Sequence, residues 1–193
     1  MDKVSLMRKA VENEDLETLR ELLDQGADIN SQDVEGWTIL MVASLRGYLE
    51  IVQELLEYGA DVDIEADLGE TALIIAAGNG CVGIVQELLE YGAEINARDY
   101  IGDTVIMTAV YGEGRIEIIR ELLEEGADLN IENDDGITPL IRASSDDSIE
   151  IVEELLKYEP MIDSQANNGM TALMYATANR NIEVVEELLN HGA

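Results

Sequence analysis

The sequence predicts an all-α solenoid of stacked helix-turn-helix pairs joined by hairpin or loop fingers, and three observations carry that prediction. The segment Glu54-Leu55-Leu56-Glu57-Tyr58-Gly59-Ala60 recurs at Glu87 to Ala93, with variants at Glu121 to Ala127, Glu154 to Pro160 and Glu187 to Ala193. Gly36, Gly69, Gly102, Gly136 and Gly169 follow one another at intervals of 33, 33, 34 and 33 residues. At that period one unit is a supersecondary element that cannot bury its own apolar face, so it must lean on its neighbours. Thirdly, apolar residues inside each period recur at helical spacing. Although 193 residues would allow one or two ordinary domains, a repeat array grows a single core along a line.

The stretch from Asn30 to Asp63 serves as the type unit. Asn30, Asp33 and Gly36 punctuate a polar stretch with turn chemistry, because glycine reaches φ > 0 and Asx side chains bond nearby backbone. A finger is expected there. Thr38 precedes Ile39-Leu40-Met41-Val42-Ala43 and suits the N-cap of a short helix of two to three turns ending near Gly47. In the fourth unit Pro139 follows Thr138, at the first helical position, where proline's missing donor costs nothing. A second helix covers Glu50 to Glu57, with Ile51, Val52, Leu55 and Leu56 on one stripe and Glu50, Gln53, Glu54 and Glu57 outside. Gly59 closes it as a left-handed cap.

This order of finger, short helix, turn, longer helix and glycine cap resembles the ankyrin repeat. The resembling motifs are Gly36-Trp37-Thr38-Ile39-Leu40, Gly69-Glu70-Thr71-Ala72-Leu73, Gly136-Ile137-Thr138-Pro139-Leu140 and Gly169-Met170-Thr171-Ala172-Leu173. Gly26-Ala27-Asp28, Gly59-Ala60-Asp61, Gly92-Ala93-Glu94 and Gly126-Ala127-Asp128 close units. The resemblance implies one domain over residues 1–193. It comprises an N-terminal cap at 1–32, full repeats at 33–66, 67–99, 100–133 and 134–166, and a final helix pair at 167–193.

Departures from the family pattern carry expectations of their own. The histidine usual after Thr-Pro-Leu is replaced by Met41, Ile74, Met107, Ile141 and Met174, so packing must substitute for its hydrogen bond. Repeat three has an extra residue around Tyr111-Gly112-Glu113-Gly114, and Asp147 and Arg180 stand where Gly47, Gly80 and Gly114 separate the paired helices. Repeat four ends in Glu159-Pro160, which predicts termination by proline exclusion instead of a left-handed glycine. The last helix keeps the internal apolar pattern at Val184, Val185, Leu188 and Leu189, so its outer face is expected to be open.

Composition bounds the function. Forty-two acidic residues against 11 basic ones give a formal charge of −31, which repels nucleic acid phosphates and anionic membranes and favours a basic partner. With Cys81 alone no intrachain disulfide is available, and a reducing compartment, cytoplasmic or otherwise intracellular, is expected. No apolar run approaches the roughly 18 residues of a membrane span.

No constellation points to catalysis, a cofactor or a metal. Gly78-Asn79-Gly80-Cys81-Val82-Gly83 satisfies the dinucleotide glycine pattern, but a strand must precede that pattern and a helix precedes it here. One histidine and one cysteine cannot assemble a soft-ligand metal site. Carboxylate pairs such as Glu153-Glu154 and Glu186-Glu187 fall on hydrated outer helix faces. Tyr58, Tyr91 and Tyr158, at one place in the period, are expected to contact neighbouring repeats. Asn30, Asn96 and Asn130 are expected to make turn hydrogen bonds.

The resemblance implies a concave binding face formed by finger tips and the exposed side of each first helix. Those positions hold Val34, Trp37, Leu45, Arg46, Leu68, Glu70, Tyr100, Ile101, Asp103, Tyr111, Asp134, Asp135, Ile137 and Met170. Scattered apolar surface residues are normal, but a file of them along one edge would exceed the patch expected of a partnerless monomer; the other reading of these positions is that finger residues pack on one another. The expected function is therefore non-catalytic binding of another protein, basic and apolar in character, by a monomer. Two other readings share the sequence. The near-identity of the repeated segments also suits a scaffold with no selected ligand, and the apolar last helix also suits a stretch of a larger multidomain protein.

Overall fold

The computed structural model describes residues 3–111 and 115–193. Among them twelve helices form six successive pairs: α1 (Lys3–Glu12) with α2 (Leu16–Asp24), α3 (Ile39–Arg46) with α4 (Leu49–Glu57), and α5 (Ala72–Gly78) with α6 (Val82–Glu90). The remaining pairs are α7 (Val105–Ala109) with α8 (Arg115–Glu124), α9 (Pro139–Ser145) with α10 (Ile149–Leu156), and α11 (Ala172–Asn179) with α12 (Ile182–Asn190). Odd-numbered helices pack on odd-numbered neighbours from α1 to α11, and even-numbered ones on even-numbered neighbours from α4 to α12. The result is two helical layers sharing one core that runs from Met7 to Leu188.

Each layer follows from its residues. Ile51, Val52, Leu55 and Leu56 of α4 are buried, as the stripe predicts, and Leu88 of α6 is wholly enclosed. The first helices are apolar nearly all round because they are sandwiched: Ile39 to Ser44 of α3 are all buried. Thr38, Thr71, Thr138 and Thr171 each accept an N–H from the third helical residue, at 3.3–3.4 Å. Thr104 makes no such bond and its hydroxyl is buried without a partner. Pro139 opens α9 at the first helical position. Met41, Ile74, Met107 and Ile141, standing in the histidine position, are buried, so packing does replace that hydrogen bond between units. Met174, at the same position in the last pair, is half exposed, as are Ile182 and Leu189.

Two kinds of glycine separate on physical grounds. Gly36, Gly69, Gly102 and Gly136 have φ between 72° and 78°, and a β-carbon on any of them would come within 3.0 Å of the next finger. They are fixed by conformation and by space together. The turn between paired helices asks only for the left-handed conformation, which Gly47 and Gly80 take at φ 73°. Non-glycine residues fill the same turn elsewhere: Glu14 at φ 54°, Asp147 at φ 57° and Arg180 at φ 66°. The expected extra residue of repeat three, with Gly112, Glu113 and Gly114, lies outside the described residues.

One expectation about helix ends is incomplete. Repeat four does not end by proline exclusion alone, because Glu159 adopts φ 51° and supplies the left-handed residue itself, with Pro160 following. The geometry of the cap, with its backbone bonds to the last helical turn, outweighs the strain of a β-carbon there.

Candidate functional site

The fingers are tight turns tied to one another. Within a finger, the N–H of Asp33 reaches the carbonyl of Trp37 at 3.0 Å, and Ala66 to Glu70, Asp99 to Asp103, Asn133 to Ile137 and Ala166 to Met170 repeat that bond at 2.9–3.0 Å. The Oδ1 atoms of Asp33, Asp99 and Asn133 each accept two further N–H groups of their own turn, at 2.9–3.1 Å. Between fingers, Asp67 donates to Glu35, Tyr100 to Leu68, Asp134 to Ile101 and Asn167 to Asp135, all through backbone at 2.8–3.1 Å. The tips therefore form one hydrogen-bonded edge. Among the described residues a single isolated bridge, Arg98 with Thr104, is the extent of β pairing.

A second ladder runs at the base of the fingers. The Oδ1 atoms of Asn30, Asp63, Asn96 and Asn130 accept the N–H groups of Asp61, Glu94, Asp128 and Met161 at 2.8–2.9 Å. These are bonds between consecutive units, so the expected turn role of the three asparagines is wider than the sequence suggests. Tyr58 likewise reaches back one unit, donating from its hydroxyl to Asp24 at 3.1 Å.

The candidate binding residues fall into three groups. Val34, Leu68, Tyr100, Ile101 and Tyr111 stand exposed at the finger tips and the end of α7, with Val34 almost wholly in solvent. Leu45 and Arg46 at the end of α3, and Asp134 and Asp135 on the fourth finger, are exposed as well. Trp37, Glu70, Ile137 and Met170 are half-buried, and Trp37 and Ile137 pack against the core. Asp103 stands apart, since it is buried and its carboxylate is already engaged.

Asp103 is the centre of a small polar cluster. Arg142 on α9 donates to both of its oxygens, with 2.6 Å to Oδ2, and Asn133 Nδ2 donates to Oδ1 at 2.5 Å. The Arg142 guanidinium also lies over the Tyr111 ring, 5.7 Å from its centroid. Sequence reasoning passed over Arg142 and Asn133. The signal available was that Arg142 stands in a register holding Val42, Ile75, Thr108 and Tyr175 in the other units. One unit earlier, Glu70 has no such enclosure. Burial, and beyond it the charge of Asp99, push its carboxyl above the ordinary range for glutamate.

Of the carboxylates expected on hydrated helix faces, Glu154 is instead buried, and its Oε2 accepts from Arg120 and Lys157 at 3.0 Å each. The glycine pattern at 78–83 spans the end of α5 and the start of α6, so a helix and not a strand leads into it. Burial pushes the Cys81 thiol up, away from thiolate chemistry. Among the described residues no group of three histidine, cysteine, aspartate or glutamate side chains is arranged to hold a metal ion. No described helix is long and apolar enough to cross a membrane.

Comparison with known proteins agrees with this geometry. No curated protein matches the chain. The family model for ankyrin repeats in three copies matches residues 6–99 and again 106–193, which together span nearly the whole sequence. With twelve helices stacked among the described residues, threonine caps and a hydrogen-bonded edge of fingers behind that match, the chain belongs to the ankyrin-repeat family, whose repeats are generally protein–protein interaction modules and typically non-enzymatic.

Proposed function

We propose that this protein is a non-catalytic binding module that engages a partner protein through its finger tips and the exposed side of its first helices. The observation that carries the reading is the apolar file on fingers two and three, where Leu68, Tyr100 and Ile101 stand exposed on tips already bonded to each other. A rigid backbone under large apolar side chains is what an interface anchor needs, since little conformational entropy is then lost on binding. Val34, Leu45 and Tyr111 extend the file, and Asp134 and Asp135 border it with charge.

The partner this surface fits bears apolar and basic residues, because a net charge of −31 accelerates encounter with cations and opposes nucleic acid. The protein acts in this reading as a monomer, in a reducing intracellular compartment, with its four full repeats at 33–66, 67–99, 100–133 and 134–166 forming one domain. Trp37 contributes by shaping the first finger more than by direct contact, as it packs against the core.

Affinity capture from the source cell's lysate tests the reading, comparing the parent chain with a Leu68→Ser/Tyr100→Ala/Ile101→Ser variant of unchanged helicity. Proteins retained by the parent and lost from the variant support it. Identical capture by both chains overturns the assignment of this edge as the binding surface.

A further inference from the structure

Successive units can be compared register by register, and the position between the finger glycine and the capping threonine holds Trp37, Glu70, Asp103, Ile137 and Met170. Two neighbouring units therefore carry an acid in the same place, with different surroundings. Asp103 is closed in by two donors from the following unit, Arg142 and Asn133, and by Tyr111 of its own unit beneath the guanidinium.

Around Glu70 the same three registers hold Thr108, Asp99 and Gly78. Thr108 gives its hydroxyl to the Thr104 carbonyl at 3.1 Å, so it offers Glu70 nothing. Asp99 places a second carboxylate where Asn133 places an amide donor, and its Oδ1 is held by the N–H groups of Ile101 and Asp103. Gly78 leaves out the ring that Tyr111 supplies. Among the described residues no hydrogen bond or ion pair reaches the Glu70 carboxylate, although it is half-buried. Burial and the Asp99 charge raise its pKa, the mark of an uncompensated acid.

The slot also lies inside the apolar file. Leu68 is two residues away on the same finger, and Tyr100 beside Asp99 bonds through its N–H to the Leu68 carbonyl at 2.8 Å. Both side chains are more than half exposed.

We infer that the slot between the second and third fingers, formed by Glu70 and Asp99, receives an arginine side chain of the partner, in the place that Arg142 fills one unit later. This rests on the protein-binding reading and adds to it the residue class that the surface selects. A planar guanidinium can bond two carboxylates at once and stack on an aromatic ring, which an ammonium cannot do with the same geometry. Leu68 and Tyr100 then hold the apolar residues flanking that arginine. Because the slot is partly desolvated, salt screens it less than the acids spread over the outer helices.

The test titrates the ¹⁵N-labelled protein with acetyl-Leu-Arg-Leu-amide and with its neutral isostere, acetyl-Leu-citrulline-Leu-amide, at physiological ionic strength. The arginine peptide is expected to bind at least about tenfold more tightly than the citrulline one, the equivalent of one charge-assisted hydrogen bond. Its shift changes should centre on residues 66–70 and 99–101. Glu70→Gln should abolish the difference between the two peptides. Thr108→Arg, which fills the slot from within, should abolish it too while the circular dichroism spectrum stays unchanged. Shift changes spread over the acidic surface at large, or a preference that survives Glu70→Gln, would overturn the slot. If the peptides fail in that way while lysate capture still depends on Leu68, Tyr100 and Ile101, the arginine slot alone falls and protein binding stands.

Discussion

The Arg142 guanidinium donates to both oxygens of Asp103, joining the fourth repeat's first helix to the third repeat's finger. Both side chains are largely withdrawn from water, at 19% and 11% exposure, so the pair differs from the outer ion pairs of the molecule. Removing one member leaves the other charge with too few partners. Arg142→Ala is expected to lower stability toward the low end of the roughly 3–5 kcal/mol typical of a broken buried pair, with Asn133 left as the donor to Asp103. Chemical denaturation measures it, and a change below about 0.5 kcal/mol would place the pair with exposed ones.

The ladder of Asn30, Asp63, Asn96 and Asn130 makes a contrasting prediction. Each side chain accepts one backbone N–H of the following unit at an exposed site. Asn96→Ala should cost about 1 kcal/mol, the net worth of a single such bond. Thermal midpoints check it, and a loss well below about 0.5 kcal/mol would show that the Asn96 side chain acts within its own turn and not between units.

Much of this architecture was legible because a repeat states its pattern several times. The period of the finger glycines, the Thr38 type of cap and the Ile51-Val52-Leu55-Leu56 stripe are local rules, and each is met locally. What stayed hidden were relations between units. Nothing in the spacing of Asp103 and Arg142, 39 residues apart, announces that they meet, because contact across a stack depends on the rotation from one unit to the next. The same holds for Asp103 as a candidate contact residue, since the register that exposes Met170 in part encloses Asp103. Glu159 was read incompletely for a different reason. The sequence rule that reserves left-handed caps for glycine is a preference of about 1–2 kcal/mol, which tertiary packing can override.

That override predicts a stabilising route. Glu159, Asp147 and Arg180 occupy φ values of 51°, 57° and 66°, and all three are exposed. Glycine at each should raise stability by about 0.5–1 kcal/mol, the relief of strain less the added entropy of the unfolded chain. Gly102→Ala should do the opposite. Its β-carbon would lie 2.8 Å from Asp134 Oδ1 and 3.0 Å from the Asp134 backbone N, in a conformation already unfavourable to alanine. A loss of at least about 2 kcal/mol is expected from crowding and strain together. Thermal melts of the four single variants, ranked, check both signs.

Along the outer helices another register is only partly complementary. Arg20 meets Glu54 at 2.7 Å, Gln86 meets Glu121 at 2.7 Å and Arg120 meets Glu154 at 3.0 Å, with Gln53 bonded to Glu87 between them. The Arg20 hydrogen bond holds the Glu54 carboxyl below its ordinary range, and Lys157 followed by Arg120 does the same for Glu154. The next pair in the series is Glu153 with Glu187, two like charges. Glu153→Arg should therefore stabilise the last interface by a few tenths of a kcal/mol, the usual scale for exposed pairs, and more at low salt. A gain that does not shrink between low and high ionic strength would mean that helix propensity, and not the pair, produced it.

Glu70 gives the protein a stability term of unusual sign. Its carboxyl is raised in the folded state by burial and then by Asp99, so the folded chain binds that proton more tightly than the unfolded chain does. Above the raised value the ionised form penalises folding. Below the unfolded value, about 4.3 for glutamate, both states are protonated and the penalty vanishes. Glu70→Gln should then be more stable than the parent at neutral pH, with the advantage shrinking as pH falls through the raised folded value and gone once the unfolded value is passed. The paired acids Glu54 and Glu154 work in the other direction, since their stabilisation is present at neutral pH and is lost on acidification. Denaturation midpoints of Glu70→Gln and the parent, followed from pH 7 downward, separate the two behaviours. An advantage that is constant with pH would assign the gain to altered packing, and an absent one at neutral pH would mean that the Glu70 carboxylate already has a partner in solution.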